Sequence, residues 1–120
     1  MEFFFHELDK SVLILSADGG LNADTAADFV KQLEELIDFG VKKMIIDCTN
    51  LTYISSYGIG VLARLHNRMQ KYGGHVKFAS PPGVVLHALT LTRLSKVFEI
   101  YADVNQARLA FREKDEAAKG

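Results

Sequence analysis

The chain has 120 residues, a formal charge of −1 and 48% hydrophobic against 24% charged residues, which is typical of one soluble globular domain. The near-neutral charge argues against binding to nucleic acid, and a single cysteine excludes an internal disulfide and a zinc site of several cysteines. No apolar run has the length of a membrane span, and the first residues lack a secretory signal pattern, so we expect a cytoplasmic protein without membrane insertion.

The first two predicted elements are strands over residues 2–8 and 11–17, joined by a tight turn at Asp9-Lys10. Asp18-Gly19-Gly20 is expected to end the second strand, because glycine reaches turn conformations that other residues avoid. Successive side chains of a strand face opposite sides, so Phe3-Phe4-Phe5 cannot all be buried. An exposed phenylalanine there would support weak self-association.

Helical and strand patterns alternate from Asn22 onwards. Apolar residues recur at helical spacing from Asn22 to Phe39, a segment that Asn22 or Asp24 can cap and that Gly40 can follow. The short run Met44-Ile45-Ile46 is typical of a strand covered on both faces in a parallel sheet. Seven elements are predicted in this part of the chain: helices at 22–39, 56–72, 84–91 and 103–112, and strands at 43–48, 75–79 and 98–101.

This order of elements predicts an α/β or α+β sandwich of two layers. The pattern shows no linker, internal repeat or low-complexity segment. We therefore expect one domain over residues 1–112, followed by a charged tail over residues 113–120 that frays.

The usual catalytic and cofactor-binding patterns do not occur in the sequence. The four histidines lack metal-ligand spacing, Cys48 ends an apolar strand, and no glycine-rich phosphate loop is present. We therefore expect no metal, no cofactor and no enzymatic activity.

The most informative stretch follows the central strand and runs from Ser55 to Leu62 with the sequence Ser-Ser-Tyr-Gly-Ile-Gly-Val-Leu. A serine that caps a helix contributes about 1 kcal/mol, but a cap needs one serine and not two. Gly58 and Gly60 fall in the first turns of the predicted helix, where each costs about 1 kcal/mol relative to alanine. A surface of such small residues would let another backbone approach closely.

This stretch resembles the hallmark of the STAS domain family, and within it that of the bacterial anti-sigma factor antagonists. The family pattern is a strand, a short loop, and D-S-[ST]-G followed by a small or apolar residue, glycine and aliphatic residues. The turn Gly20-Leu21-Asn22, the strand Val97–Tyr101 and the helix from Asp103 extend the likeness over about residues 2–112. The resemblance implies the STAS fold for nearly the whole chain, an α/β fold with a mixed β-sheet of four to five strands packed against about four α-helices.

By this resemblance, Ser56 takes the position of the serine that a partner anti-sigma factor kinase phosphorylates, and Ser55 is the second choice. Ser55 stands where the motif has aspartate, and Tyr57 where it has a second serine or threonine. The resemblance implies that the unphosphorylated chain binds the kinase, which carries the ATP, and so releases a sigma factor. A serine phosphatase is the other implied partner. The predicted partner-binding residues are Ser55, Ser56, Tyr57, Gly58, Ile59 and Gly60.

Two other functions remain open at this point. One is a scaffolding STAS module of a stress-sensing assembly, which would work without phosphorylation. The other is an accessory module of a membrane transporter. The short third helix carries Leu86, Leu89 and Leu91, which either contact a partner or pack in the core.

Overall fold

A computed structural model describes the backbone of residues 2–9, 12–91 and 98–119, and the side chains of residues 12–91 and 98–112. Strands and helices alternate after an opening pair of strands, as predicted, except that a short strand at Leu51–Ile54, which was not predicted, directly follows the strand at Lys43–Asp47. The strands are β1 (Glu2–Asp9), β2 (Val12–Leu21), β3 (Lys43–Asp47), β4 (Leu51–Ile54), β5 (His75–Ala79) and β6 (Glu99–Tyr101). The helices are α1 (Ala23–Asp38), α2 (Ser56–Lys71), α3 (Gly83–Thr90) and α4 (Val104–Lys119). Within these ranges, every helix falls short of the length and apolar character that crossing a bilayer requires.

The main sheet has the strand order β1-β2-β3-β5-β6, in which β1 runs antiparallel to β2 and the other neighbours are parallel. In the central strand β3, Met44, Ile45 and Ile46 are all buried, as the unbroken apolar run predicts. The predicted α/β class, the mixed sheet and the four helices are therefore confirmed. The side chains of Phe3, Phe4 and Phe5, and the turn residue Lys10, lie outside the described residues.

The second strand is longer than predicted, and the expected strand end at Asp18-Gly19-Gly20 is wrong. β2 continues to Leu21 because its last residues pair with the short parallel strand β4, with Gly20 opposite Tyr53 and Leu21 opposite Ile54. The register shifts between Gly19 and Gly20, and Gly19 has a φ of +104°, a conformation that favours glycine. The glycines therefore produce an irregularity within β2 and do not end it.

Helices cover both faces of the sheet, so the expected two-layer arrangement is wrong. The larger core lies between the sheet and helices α1, α2 and α3. On the opposite face, Ala107 and Phe111 of α4 pack with Val12, Ile14 and Ile45 of the sheet. A third layer forms because β2 and β3 carry apolar side chains on both faces, and each face must be covered.

The helix ends follow the sequence signals at α1 and depart from them at α4. Asn22 is the residue that caps α1, since its Oδ1 accepts from the amides of Asp24 at 2.9 Å and Thr25 at 3.1 Å. Gly40 follows α1 with a φ of +104°, as predicted. The predicted end of the last helix near Arg112 is wrong, because α4 continues to Lys119. Residues 113–119 are glutamate, lysine, aspartate and alanine, most of them strong helix formers.

Candidate functional site

The two serines of the motif lie where β4 ends and α2 begins. Ile54, the last residue of β4, pairs with Leu21 at the end of β2. The next amide, that of Ser55, donates to the carbonyl oxygen of Leu21 at 2.9 Å. The end of β2 therefore fixes the point at which the chain enters α2.

Ser55 is the cap of α2, as local physics predicts for one of the two serines. Its backbone is extended, and its Oγ accepts from the amide of Gly58 at 3.1 Å. Its carbonyl oxygen accepts from the amide of Ile59 at 2.9 Å. The hydroxyl of Ser55 therefore caps the start of α2, and Ser56 does not have this role.

Ser56 is the first residue of α2 and is exposed, and Tyr57 next to it is 50% exposed. In the described part of the chain, the amides of Ser56 and Tyr57 donate to no acceptor, and the first turn carries no acidic side chain. Free amides and the positive end of the helix dipole together favour a negative charge at such a position. A phosphate attached to Ser56 would meet this favourable environment.

The two glycines of the motif have different surroundings. A Cβ on Gly58 would lie 2.8 Å from the carbonyl oxygen of Leu21 and 3.0 Å from Cγ1 of Ile54, whereas a Cβ on Gly60 would meet nothing within 4 Å. Gly58 and the following Ile59 are buried. Of the six predicted partner-binding residues, these two therefore face the core, and Ser55, Ser56, Tyr57 and Gly60 are accessible to a partner.

Tyr53 is a further surface residue of this region that the motif did not indicate. It is 42% exposed, and its hydroxyl accepts from Nδ2 of Asn22, the cap of α1. Its ring lies against Gly20, where a Cβ would come within 2.0 Å of ring atom Cε1. The pairing of β2 with β4 thus brings the segment Gly20-Leu21-Asn22 next to the two serines at the start of α2. In the sequence these two segments were separate motifs.

The cysteine and the described histidines do not form a reactive cluster. Burial, together with the negative charge of Asp47, raises the pKa of the Cys48 thiol to about 12, so this group stays protonated at neutral pH. His66 is buried, its Nδ1 has no hydrogen-bond partner, and burial lowers its pKa. Among the residues that the structure describes, no three His, Cys, Asp or Glu side chains are grouped to hold a metal ion.

Of the three leucines in and just after α3, some are buried and others are exposed. Leu89 is buried in the main core, as the packing alternative predicts. Leu86 and Leu91 are exposed. These two remain accessible to a partner.

Comparisons with known proteins add a family and several relatives. The sequence profile of the STAS domain matches residues 7–107. A relative from Thermotoga maritima, named as a candidate anti-sigma factor antagonist, is 27% identical over 112 residues, which cover 92% of this chain and 99% of the relative. A crystal structure of the same description and organism has a TM-score of 0.84 at 26% identity, over 92% of this chain and 94% of that chain.

The anti-sigma factor antagonist SpoIIAA has a similar fold in two forms. The unphosphorylated form has a TM-score of 0.78 at 15% identity, over 93% of this chain and 97% of that chain. The phosphorylated form, from Bacillus, has a TM-score of 0.70 at 14% identity, over 92% and 99%. At these identities the SpoIIAA structures support the fold alone.

Proposed function

Because this chain belongs to the STAS domain family, we propose that it acts as an anti-sigma factor antagonist in the cytoplasm and is not itself an enzyme. The Thermotoga maritima relative, which is named as a candidate anti-sigma factor antagonist, supports this role. In the proposed cycle, the unphosphorylated chain binds an anti-sigma factor kinase, and the sigma factor held by that kinase is released. The kinase supplies the ATP, and a serine phosphatase returns the chain to its binding state.

The exposed hydroxyl of Ser56 is the single observation that carries the proposed switch. It lies at the first position of α2, while the neighbouring hydroxyl of Ser55 is engaged as the helix cap. The oxygen of Ser55 that a kinase would modify already accepts the hydrogen bond from Gly58. Ser56 is therefore the preferred phosphate acceptor, and Tyr57 and Gly60 provide accessible surface beside it.

Phosphorylation is expected to change binding and leave the fold intact. A phosphate adds about −1.5 to −2 charges and three acceptor oxygens. At the start of α2 this charge is favourable by about 0.3–1 kcal/mol, because it faces the dipole and two amides without acceptors. The same bulk and charge inside a closely packed interface are unfavourable. A loss of about 3 kcal/mol there lowers the affinity more than a hundredfold.

The test is to incubate the purified chain with the anti-sigma factor kinase of its own cells and ATP, and to locate the phosphate by mass spectrometry. We expect one phosphate on Ser56. Ser56→Ala is expected to bind the kinase without being labelled, and Ser56→Asp to bind it weakly.

Ser55→Ala is the matched control, and it is expected to keep the labelling at Ser56. Phosphate on another residue, with Ser56 unmodified, would contradict the proposed switch. If the chain purified from its own cells carries no phosphate and stays in a high-mass assembly, the scaffolding function is favoured. If it co-purifies with membranes, the function as a transporter module is favoured.

A further inference from the structure

Two exposed tyrosines, Tyr53 and Tyr57, lie beside Ser56 in the chain, whereas a third, Tyr72, follows the far end of α2. The Cα atom of Tyr53 is within about 11 Å of that of Ser56, because only three residue steps separate them. The 16 residues of α2 span about 24 Å, so Tyr72 is remote from the serine. Tyr53 is therefore close to the proposed phosphorylation site without being part of the serine motif.

A kinase that binds this chain and modifies Ser56 has to cover the surface around the Ser56 hydroxyl. An interface of standard size takes about 800 Å² from each partner, which corresponds to a patch with a radius of about 16 Å. Such a patch, centred on Ser56, includes the position of Tyr53 and does not reach that of Tyr72. The occupant of the surface at Tyr53 is therefore expected to be the same protein that binds at Ser56.

The side chain of Tyr53 is held in one position by two contacts. Its hydroxyl accepts from Nδ2 of Asn22, and its ring lies against Gly20 on the neighbouring strand. An aromatic ring that is fixed before binding loses little conformational freedom when a partner packs against it, which reduces the entropy cost of association. Tyrosine is also one of the residues that most often dominate the affinity of an interface.

Gly20 is a glycine for the sake of this ring. Unlike Gly19, it does not have a positive φ, so its backbone conformation does not require glycine. The three atoms nearest to an added Cβ all belong to the ring of Tyr53. A ring placed over a glycine of the neighbouring strand can stabilise a sheet by itself. That contact still leaves Tyr53 42% exposed, so an effect on stability and an effect on binding have to be measured separately.

We propose that Tyr53 is a contact residue for the anti-sigma factor kinase, and that Gly20 and Asn22 position its ring for this contact. The inference rests on the proposed function and adds to it a residue outside the serine motif. Tyr53 is assigned to binding alone, because the phosphate is transferred to a different side chain. Its removal therefore weakens the complex without slowing the transfer step within it.

The first test compares the affinity of the purified kinase for the wild-type chain and for Tyr53→Thr, a substitution that keeps a residue favoured in strands. We expect an affinity lowered at least about thirtyfold, as for an aromatic residue that dominates an interface. The KM for phosphorylation of Ser56 is expected to rise, with kcat unchanged. Tyr72→Thr is the matched control and is expected to keep the wild-type affinity and KM.

Asn22→Ser tests the positioning of the ring. Serine keeps an acceptor that caps α1 but lacks the Nδ2 donor to the hydroxyl of Tyr53. The affinity is expected to fall about three- to tenfold, because the ring then has to be ordered on binding. An unchanged affinity would overturn the positioning role of Asn22.

The double variant Gly20→Ala, Tyr53→Thr separates contact from stability. Its new methyl group enters space that the ring has left, so its free energy of unfolding is expected to exceed that of Tyr53→Thr. Its affinity for the kinase is expected to stay as low. A double variant that regains the wild-type affinity, or a Tyr53→Thr chain that binds as the wild type does, would overturn the contact and leave the proposed function standing. A wild-type chain that does not bind the kinase would overturn both.

Discussion

The first two turns of α2 have an inner side and an outer side, and the two differ in what they tolerate. On the inner side, Gly58 lies so close to the end of β2 that a Cβ would come within 2.8 Å of the carbonyl oxygen of Leu21. On the outer side, a Cβ on Gly60 would meet open space, and Ser56 and Tyr57 are exposed. Some residues of the motif are therefore required by the fold, and others are accessible to a partner.

On the inner side, Gly58→Ala is expected to destabilise the chain more than any other substitution considered below. The new methyl group meets a backbone oxygen and a packed side chain, and neither can shift without disturbing the structure around it. We therefore expect a loss of about 1–3 kcal/mol in the free energy of unfolding. Urea denaturation measures this loss.

Gly60→Ala is the matched control on the outer side. It adds the same methyl group into open space and is expected to stabilise the chain by up to about 1 kcal/mol, because alanine is the better helix former. Equal effects of the two substitutions would remove the distinction between the two sides.

A second test uses His66, which is buried farther along the same helix. Burial lowers its pKa, an effect that the negative charge of Glu99 partly opposes, so the unfolded chain binds a proton more readily than the folded chain. This contribution to stability is present above the unfolded pKa of about 6.5 and is lost as the pH falls below it. The free energy of unfolding is expected to fall between pH 7.5 and 5.5, by at most about 1.4 kcal/mol per pH unit from this group.

Urea denaturation at both pH values checks this dependence. His66→Leu is expected to reduce the slope with pH, while His87→Gln, at an exposed position, is expected to retain it. A slope that is the same in all three proteins would show that His66 does not contribute.

The smallest stability difference is expected between the two serines. Ser55→Ala removes the acceptor for the amide of Gly58 and is expected to cost about 1 kcal/mol, whereas Ser56→Ala is expected to stay within about 0.5 kcal/mol of the wild type. Thermal and urea unfolding of both variants measure the difference. A larger loss of stability for Ser56→Ala than for Ser55→Ala would show that Ser56, and not Ser55, caps α2.

Features that depend on local sequence could be predicted. The unbroken run Met44-Ile45-Ile46 indicated a strand buried on both faces, and the structure places it at the centre of the sheet. Asn22 and Gly40 mark the two ends of α1 because capping involves groups only a few residues apart. The position of Ser56 at the start of α2 followed from the same kind of signal.

Features that depend on distant contacts could not be predicted. The glycines near the end of β2 indicated a strand end, because nothing in their surroundings revealed the pairing with β4. The requirement for glycine at position 58 comes from Leu21, which is far away in the sequence. Tyr53 joined the candidate site only through this pairing, and α4 became a third layer only because the sheet was apolar on both faces.

Phosphate on Ser56 is proposed to change partner binding while the fold stays intact. The most direct measurement compares fully phosphorylated and unphosphorylated chain in two assays, the affinity for the anti-sigma factor kinase and the free energy of unfolding. We predict an affinity lowered more than a hundredfold, with the free energy of unfolding unchanged or raised by up to about 1 kcal/mol. Equal affinity of the two forms, or a loss of binding that accompanies unfolding, would contradict the proposed switch at Ser56.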